Sequence, residues 1–150
     1  LKRDTKIVAA ALVAVAGSIL SASVVCAAAI AHGASMRWRL LFRLFCHGIP
    51  ERCIYLWSVP MPICARCTAI YAGLVLSFLA FLLLPRMKES VARMVLYAAL
   101  VPMAIDGLTQ LAHLRLSNNQ LRIETGLVAG IAFGVWALSA IENYEIVTIP

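Results

Sequence analysis

Four apolar runs, each long enough to cross a lipid bilayer, constrain this chain more than any other feature. They cover residues 7–31, about 63–84, 91–113 and about 121–141. At 1.5 Å per residue each can traverse the ~30 Å of hydrocarbon in a membrane. Backbone in lipid must satisfy its own hydrogen bonds, so sparsely charged runs of this length fold as helices. The expected architecture is all-α: one transmembrane domain over residues 1–150, a four-helix bundle passing several times through the cell (cytoplasmic or inner) membrane. Composition agrees. The chain is 63% apolar and 13% charged, against ~45–50% and ~25% in soluble domains. The net charge of +6 comes from residues placed before and between the runs, Lys2, Arg3 and Lys6 among them. No basic stripe is interleaved with aromatics, so phospholipid headgroups rather than nucleic acid are the expected partner. The first run far exceeds the ~7–15 residues of a signal-peptide core and reads as a retained helix. Lys and Arg divide almost evenly between the two sides, with a slight lean towards an inside N-terminus if Arg66, Arg115 and Arg122 belong to a site.

The long connection, residues 33–62, opens with an amphipathic stretch. Trp38, Leu41, Phe42 and Phe45 fall at i, i+3, i+4 and i+7, with Arg39 and Arg43 on another face. This predicts an interfacial helix with Trp and Arg at headgroup level, followed by a Cys-rich loop. Ser117-x-x-Gln120 has the form of a capping box for the fourth helix. That helix carries Gly126, Gly130 and Gly134 at successive i+4 positions, and the first carries Ala10, Ala14, Ser18 and Ala22. Such small-residue faces predict a close contact between helices 1 and 4; another membrane subunit or a second copy would use the same surface.

Four of the five cysteines surround the start of the second run: Cys46, Cys53, Cys64 and Cys67. Cys64-Ala65-Arg66-Cys67 is a C-x-x-C, which brings two sulfurs to one side of a turn for a metal ion or a disulfide. With Cys46-His47 it supplies a four-ligand, zinc-type set: Cys46, His47, Cys64 and Cys67. Thr68 follows Cys67 where covalent haem attachment needs His. The same thiols, with Cys53, equally suit redox pairing. Cys26, within the first run, reads as a packing residue. Asp106, Gln110 and His113 share one face of the third run at i, i+4 and i+7. An ionisable group that deep faces the bundle interior, so Asp106 should meet an arginine, Arg122 first and Arg66 second. The expected polar network is Arg66, Asp106, Gln110, His113, Asn119 and Arg122, with Glu124 competing for the arginines. His32 and His113 end helices on the same side, which admits haem or chlorophyll ligation as a minor alternative.

Cys46-His47-Gly48-Ile49-Pro50-Glu51-Arg52 and Pro62-Ile63-Cys64-Ala65-Arg66-Cys67-Thr68-Ala69-Ile70-Tyr71-Ala72-Gly73 resemble the signature of domain of unknown function 2085, a group of small prokaryotic membrane proteins. Asp106-Gly107-Leu108-Thr109-Gln110 and Asn119-Gln120-Leu121-Arg122 resemble its later blocks. Gly48, Cys53 and Ala69 stand where the family pattern has Gln, Ser and Gly. The resemblance implies a multi-pass membrane protein with a paired-cysteine site and supplies no activity. The expected function is a non-catalytic accessory or structural subunit of a larger membrane complex, its loop stapled by zinc. The alternatives are a membrane thiol–disulfide oxidoreductase and, third, a pigment-ligating or ion-pathway subunit using Asp106.

Overall fold

The computed structural model describes residues 3–83, 87–112, 114 and 118–147. It is built on four α-helices: α1 (Arg3–Ala31), α2 (Ala65–Leu83), α3 (Glu89–Leu111) and α4 (Asn119–Val147). Three contain stretches long and apolar enough to cross a membrane, Thr5–Ala31, Glu89–Leu111 and Asn119–Asn143. The apolar stretch of α2, Ala65–Phe81, is shorter. The second run divides between two kinds of structure: Ile63 and Cys64 end a β-strand, and the helix starts at Ala65.

Packing places α4 at the centre. Half of its apolar window is buried within the protein, against 17% in α1 and 22% in α3. Large apolar side chains face outwards instead, among them Val25, Leu79, Met94, Leu108 and Val128. In water such a surface would drive aggregation; against lipid tails it carries no penalty.

The glycine face of α4 meets α2, and this corrects the expected partner. A Cβ on Gly126 would lie 2.6 Å from the Arg66 carbonyl oxygen, and one on Gly130 would overlap that of Ile70. Gly73 is equally confined, since its Cβ would lie 2.5 Å from the Leu127 carbonyl oxygen. Ala69, Gly73 and Ser77 recur every fourth residue on α2 and supply the matching small face. On α1, Ala10, Ala14, Ser18 and Ala22 are all exposed. That helix packs instead through Thr5, Ala9, Ala16, Ser23, Ala27 and Ile30.

The long connection also departs from expectation. Met36–Leu44 is a 3-10 helix rather than an α-helix, opened by the Ser35 hydroxyl accepting from the Arg37 N–H. At three residues per turn the i, i+3, i+4, i+7 set does not stay together. Phe42 turns inward to pack with Ala27, Met61 and Ile63, while Trp38, Leu41 and Phe45 remain exposed. After a short 3-10 turn at Pro50–Arg52, strands β1 (Cys53–Leu56) and β2 (Val59–Cys64) form an antiparallel hairpin. Its two-residue turn, Trp57-Ser58, has φ of 50° and 63°. Positive φ at both positions is the twist that a tight hairpin requires, adopted here without the usual Asn or Gly. The register sets Cys53 opposite Cys64.

The start of α4 is capped by Asn118, whose side-chain oxygen accepts from the Leu121 N–H at 2.8 Å. Asn118 thus takes the capping role assigned above to Ser117, which lies outside the described residues together with His113 and Arg115.

Candidate metal centre

The hairpin returns the chain to the start of α2, and there three sulfurs converge. Those of Cys46, Cys64 and Cys67 all lie within 4.8 Å of one another, close enough to hold a metal ion together. Cys64 precedes the first residue of α2, and its sulfur accepts the Cys67 N–H at 3.5 Å, capping the helix. The Cys46 sulfur accepts two backbone N–H groups, from Cys64 at 3.2 Å and Gly48 at 3.4 Å. Gly48 enters this turn at φ +57°, where a Cβ would lie 2.5 Å from the Pro62 carbonyl oxygen. Glycine alone lets the turn close against β2.

These donors favour thiolate. Hydrogen bonds from the Cys64 and Cys67 thiols, then the amides of Cys64 and Gly48, hold the Cys46 thiol well below its ordinary range, against the opposing effect of burial. Thiolate is the form that binds metal.

His47 stands outside the sulfur triangle. It is exposed and lines a groove of about 380 Å³ with Arg39, Arg43 and Cys46. Cys53 is fully buried, and its thiol donates to the Ile49 carbonyl oxygen at 3.1 Å. Burial pushes that thiol up to about 11, with Arg39 pulling the other way. Arg39 turns into the connection: one Nη2 bonds the carbonyl oxygens of Gly48, at 2.9 Å, and Met61, at 3.2 Å. It ties the two halves of the loop together.

The polar network lies beside the cluster. Asp106 continues the buried stripe of α3 formed by Ala92, Leu96 and Ala99. Its carboxylate is ion-paired with Arg66, the residue between the two cysteines of the C-x-x-C. Gln110 donates to the same oxygen at 2.8 Å. Arg122, the first choice from sequence, bonds the Gln110 amide oxygen at 2.9 Å and Asn119 at 2.9 Å. Helical position explains the exchange. Arg66 starts α2 over Gly107, where α3 has no side chain, whereas Arg122 meets Gln110 one turn above the carboxylate. Asn119 then donates to the Cys53 carbonyl oxygen at 3.1 Å. A chain of polar contacts therefore runs from the C-x-x-C through α3 and α4 back to the hairpin. Glu124 is exposed and bonds Gln120. His32 is exposed at the end of α1.

Arg39 is the site residue that sequence reasoning missed. Its helical phase beside Arg43 suggested a headgroup anchor, and only the hairpin creates the carbonyls it binds.

Apolar helices with a thiol cluster at the end of one define a helical membrane protein in contact with the bilayer. The chain belongs to the family described as predicted membrane protein DUF2085, whose model matches residues 46–136. The match takes in the sulfur triangle, the polar network and the whole glycine face. It is 46% identical over 95 residues to an uncharacterized protein of Methanothermobacter thermautotrophicus, covering 63% of this chain and 85% of that one. It is 37% identical over 92 residues to an uncharacterized protein of Methanocaldococcus jannaschii, covering 60% of this chain and 59% of the relative's length. No solved structure matches the chain.

Proposed function

We propose that the protein is a non-catalytic subunit, working in the cell membrane beside other membrane proteins or copies of itself, in which Cys46, Cys64 and Cys67 hold one zinc-type ion. In this reading residues 1–150 form one transmembrane domain, the four helices pack as a bundle and Met36–Leu44 lies along the membrane surface. The observation that carries the metal is the sulfur triangle supported by amide donors. Sulfurs ~2.3 Å from a tetrahedral ion stand roughly 3.8 Å apart, which fits a cluster confined to 4.8 Å. His47 completes the set by turning in from its groove. Four protein ligands leave no open position, which makes the ion a staple between the long connection and α2. The largely apolar outer surface of α1 and α3 supports a role beside other membrane-embedded chains.

Elemental analysis of the purified protein tests this. One zinc-type ion per chain is expected, abolished by Cys64→Ser and weakened by His47→Ala. Metal-free protein in which mass spectrometry finds two of these cysteines joined would overturn it in favour of the thiol–disulfide oxidoreductase.

A further inference from the structure

A second polar cavity is lined in part by Arg66, the residue between the two cysteines of the C-x-x-C. Its volume is about 250 Å³, and Arg52, Arg66, Gly107, Gln110 and Leu111 line it. Both charged residues in that lining are arginines. Arg122 reaches the same wall of the cavity, where it donates to the Gln110 amide oxygen at 2.9 Å. Three guanidinium groups thus gather where Asp106 is the buried carboxylate, and Asp106 is already engaged by Arg66 and Gln110. Glu51 and Glu124 are both exposed, and Glu124 is bonded to Gln120.

Unused donors accompany this charge. Gln110 spends its amide nitrogen on Asp106 and its oxygen on Arg122. Arg66, by contrast, has a buried Nε with no hydrogen-bond partner among the described residues. Arg52 is exposed, and its guanidinium has no hydrogen-bond partner among them. A buried donor left unsatisfied is costly, and a forked guanidinium pair matches an oxyanion in geometry as well as charge. The α2 and α4 N-termini add partial positive charge on this side, and the C-terminal carbonyls of α3 oppose it. Gly107 presents no side chain to the cavity. Its walls come from the first turn of α2 and the last turns of α3.

We propose that the cavity between Arg52 and Arg66 binds a phosphoryl oxyanion, carried by a lipid headgroup or by a soluble phosphate. Arg52 supplies the exposed fork that captures the anion. Arg66 supplies the inner donors while keeping Asp106, so ligand and ion pair share one guanidinium. The proposal is independent of the metal reading.

The test uses full-length protein in neutral detergent and in lipid nanodiscs. Inorganic phosphate is titrated by calorimetry at constant ionic strength against chloride. In parallel, native mass spectrometry compares retention of phosphatidylglycerol with that of a diacylglycerol glycolipid, which carries no phosphate. Saturable binding of inorganic phosphate identifies a soluble source; selective retention of phosphatidylglycerol without it identifies a headgroup. Both support the site. Arg52→Gln, on an exposed side chain, should weaken whichever probe binds by roughly ten-fold or more, the loss expected for a charge-assisted hydrogen-bonding pair. Arg52→Lys should fall between, because it keeps the charge and loses the fork. Arg93→Gln, on an exposed residue paired with Glu89, should bind as wild type does. Metal content measured on the same samples should not change with Arg52→Gln, which separates failure here from failure of the metal reading. Absence of binding by both probes, or wild-type binding by Arg52→Gln, overturns the proposal.

Discussion

Breaking the Arg66–Asp106 pair from each side and then from both gives a sharp test of the polar tie between α2 and α3, two helices that otherwise pack through α4. The Asp106 side chain is 2% exposed and that of Arg66 23%. Removing one member of a buried pair costs about 3–5 kcal/mol, because the other charge stays in a poorly solvated place. Asp106→Leu leaves an arginine that still reaches water and belongs at the lower end, about 3 kcal/mol. Arg66→Met leaves a deeply buried carboxylate with Gln110 as a remaining donor and belongs near about 5 kcal/mol. The combined Arg66→Met, Asp106→Leu variant buries no unmatched charge, so it should be more stable than Arg66→Met by at least about 2 kcal/mol. Equilibrium unfolding in mixed micelles, followed by tryptophan fluorescence, measures all four proteins. Additive losses, with the double variant the least stable of the set, would falsify the assignment of an interacting buried pair. Recovery of stability accompanied by loss of assembly with partner chains would show that the pair also serves function.

The remaining expectations concern packing, thiol chemistry and topology. Gly130→Ala should destabilise the protein by about 1–3 kcal/mol, since the new methyl would meet the Ile70 backbone, which cannot rotate away; Gly17→Ala, with open space around it, should be neutral or slightly stabilising in the same unfolding assay. Alkylation of metal-stripped protein at pH 8, read by mass spectrometry, should label Cys46 well before Cys53. The Cys53 thiol, at about 11 when folded, lies above its unfolded value of ~8.5. Its contribution to stability is therefore complete below about pH 8.5 and is lost as pH rises through the folded value. Cys53→Ser should leave metal content unchanged. The four crossings proposed above would place both termini on one side of the membrane, and reporter fusions finding them on opposite sides would reject that topology.

Long-period information in the sequence proved easier to read than short-range turns. The helices were legible because an apolar run of twenty residues has few alternatives. The inward face of Asp106 was legible because burial of a lone carboxylate against lipid is so costly. The thiol cluster was legible as far as Cys46, Cys64 and Cys67. The hairpin was not, because Trp57-Ser58 lacks the Asn-Gly signal and Pro60 and Pro62 argue against a strand. Without it, Arg39 has no carbonyls to bind and the second apolar run reads as a span from about Ile63. The partner of the glycine face was misread for a different reason. Ala69, Gly73 and Ser77 were present at the right spacing, but the alanine-rich first helix offered a more conspicuous match. Choosing between Arg66 and Arg122 needed the relative height of α2 and α4, which helical periodicity does not contain.

The polar chain from the C-x-x-C to the hairpin also bears on the order of assembly. Cys46 and Cys64 are separated by 18 positions, whereas Arg66 and Asp106 are separated by 40. The difference in loop-closure entropy is small, about 0.7 kcal/mol, but the difference in time is not. At ~5–20 residues per second of synthesis, forty residues take roughly 2–8 s. All three cysteines of the sulfur triangle are therefore made before the carboxylate that pairs with Arg66. Metal loading or thiol oxidation at that stage would act on a chain whose α3 and α4 have yet to enter the membrane.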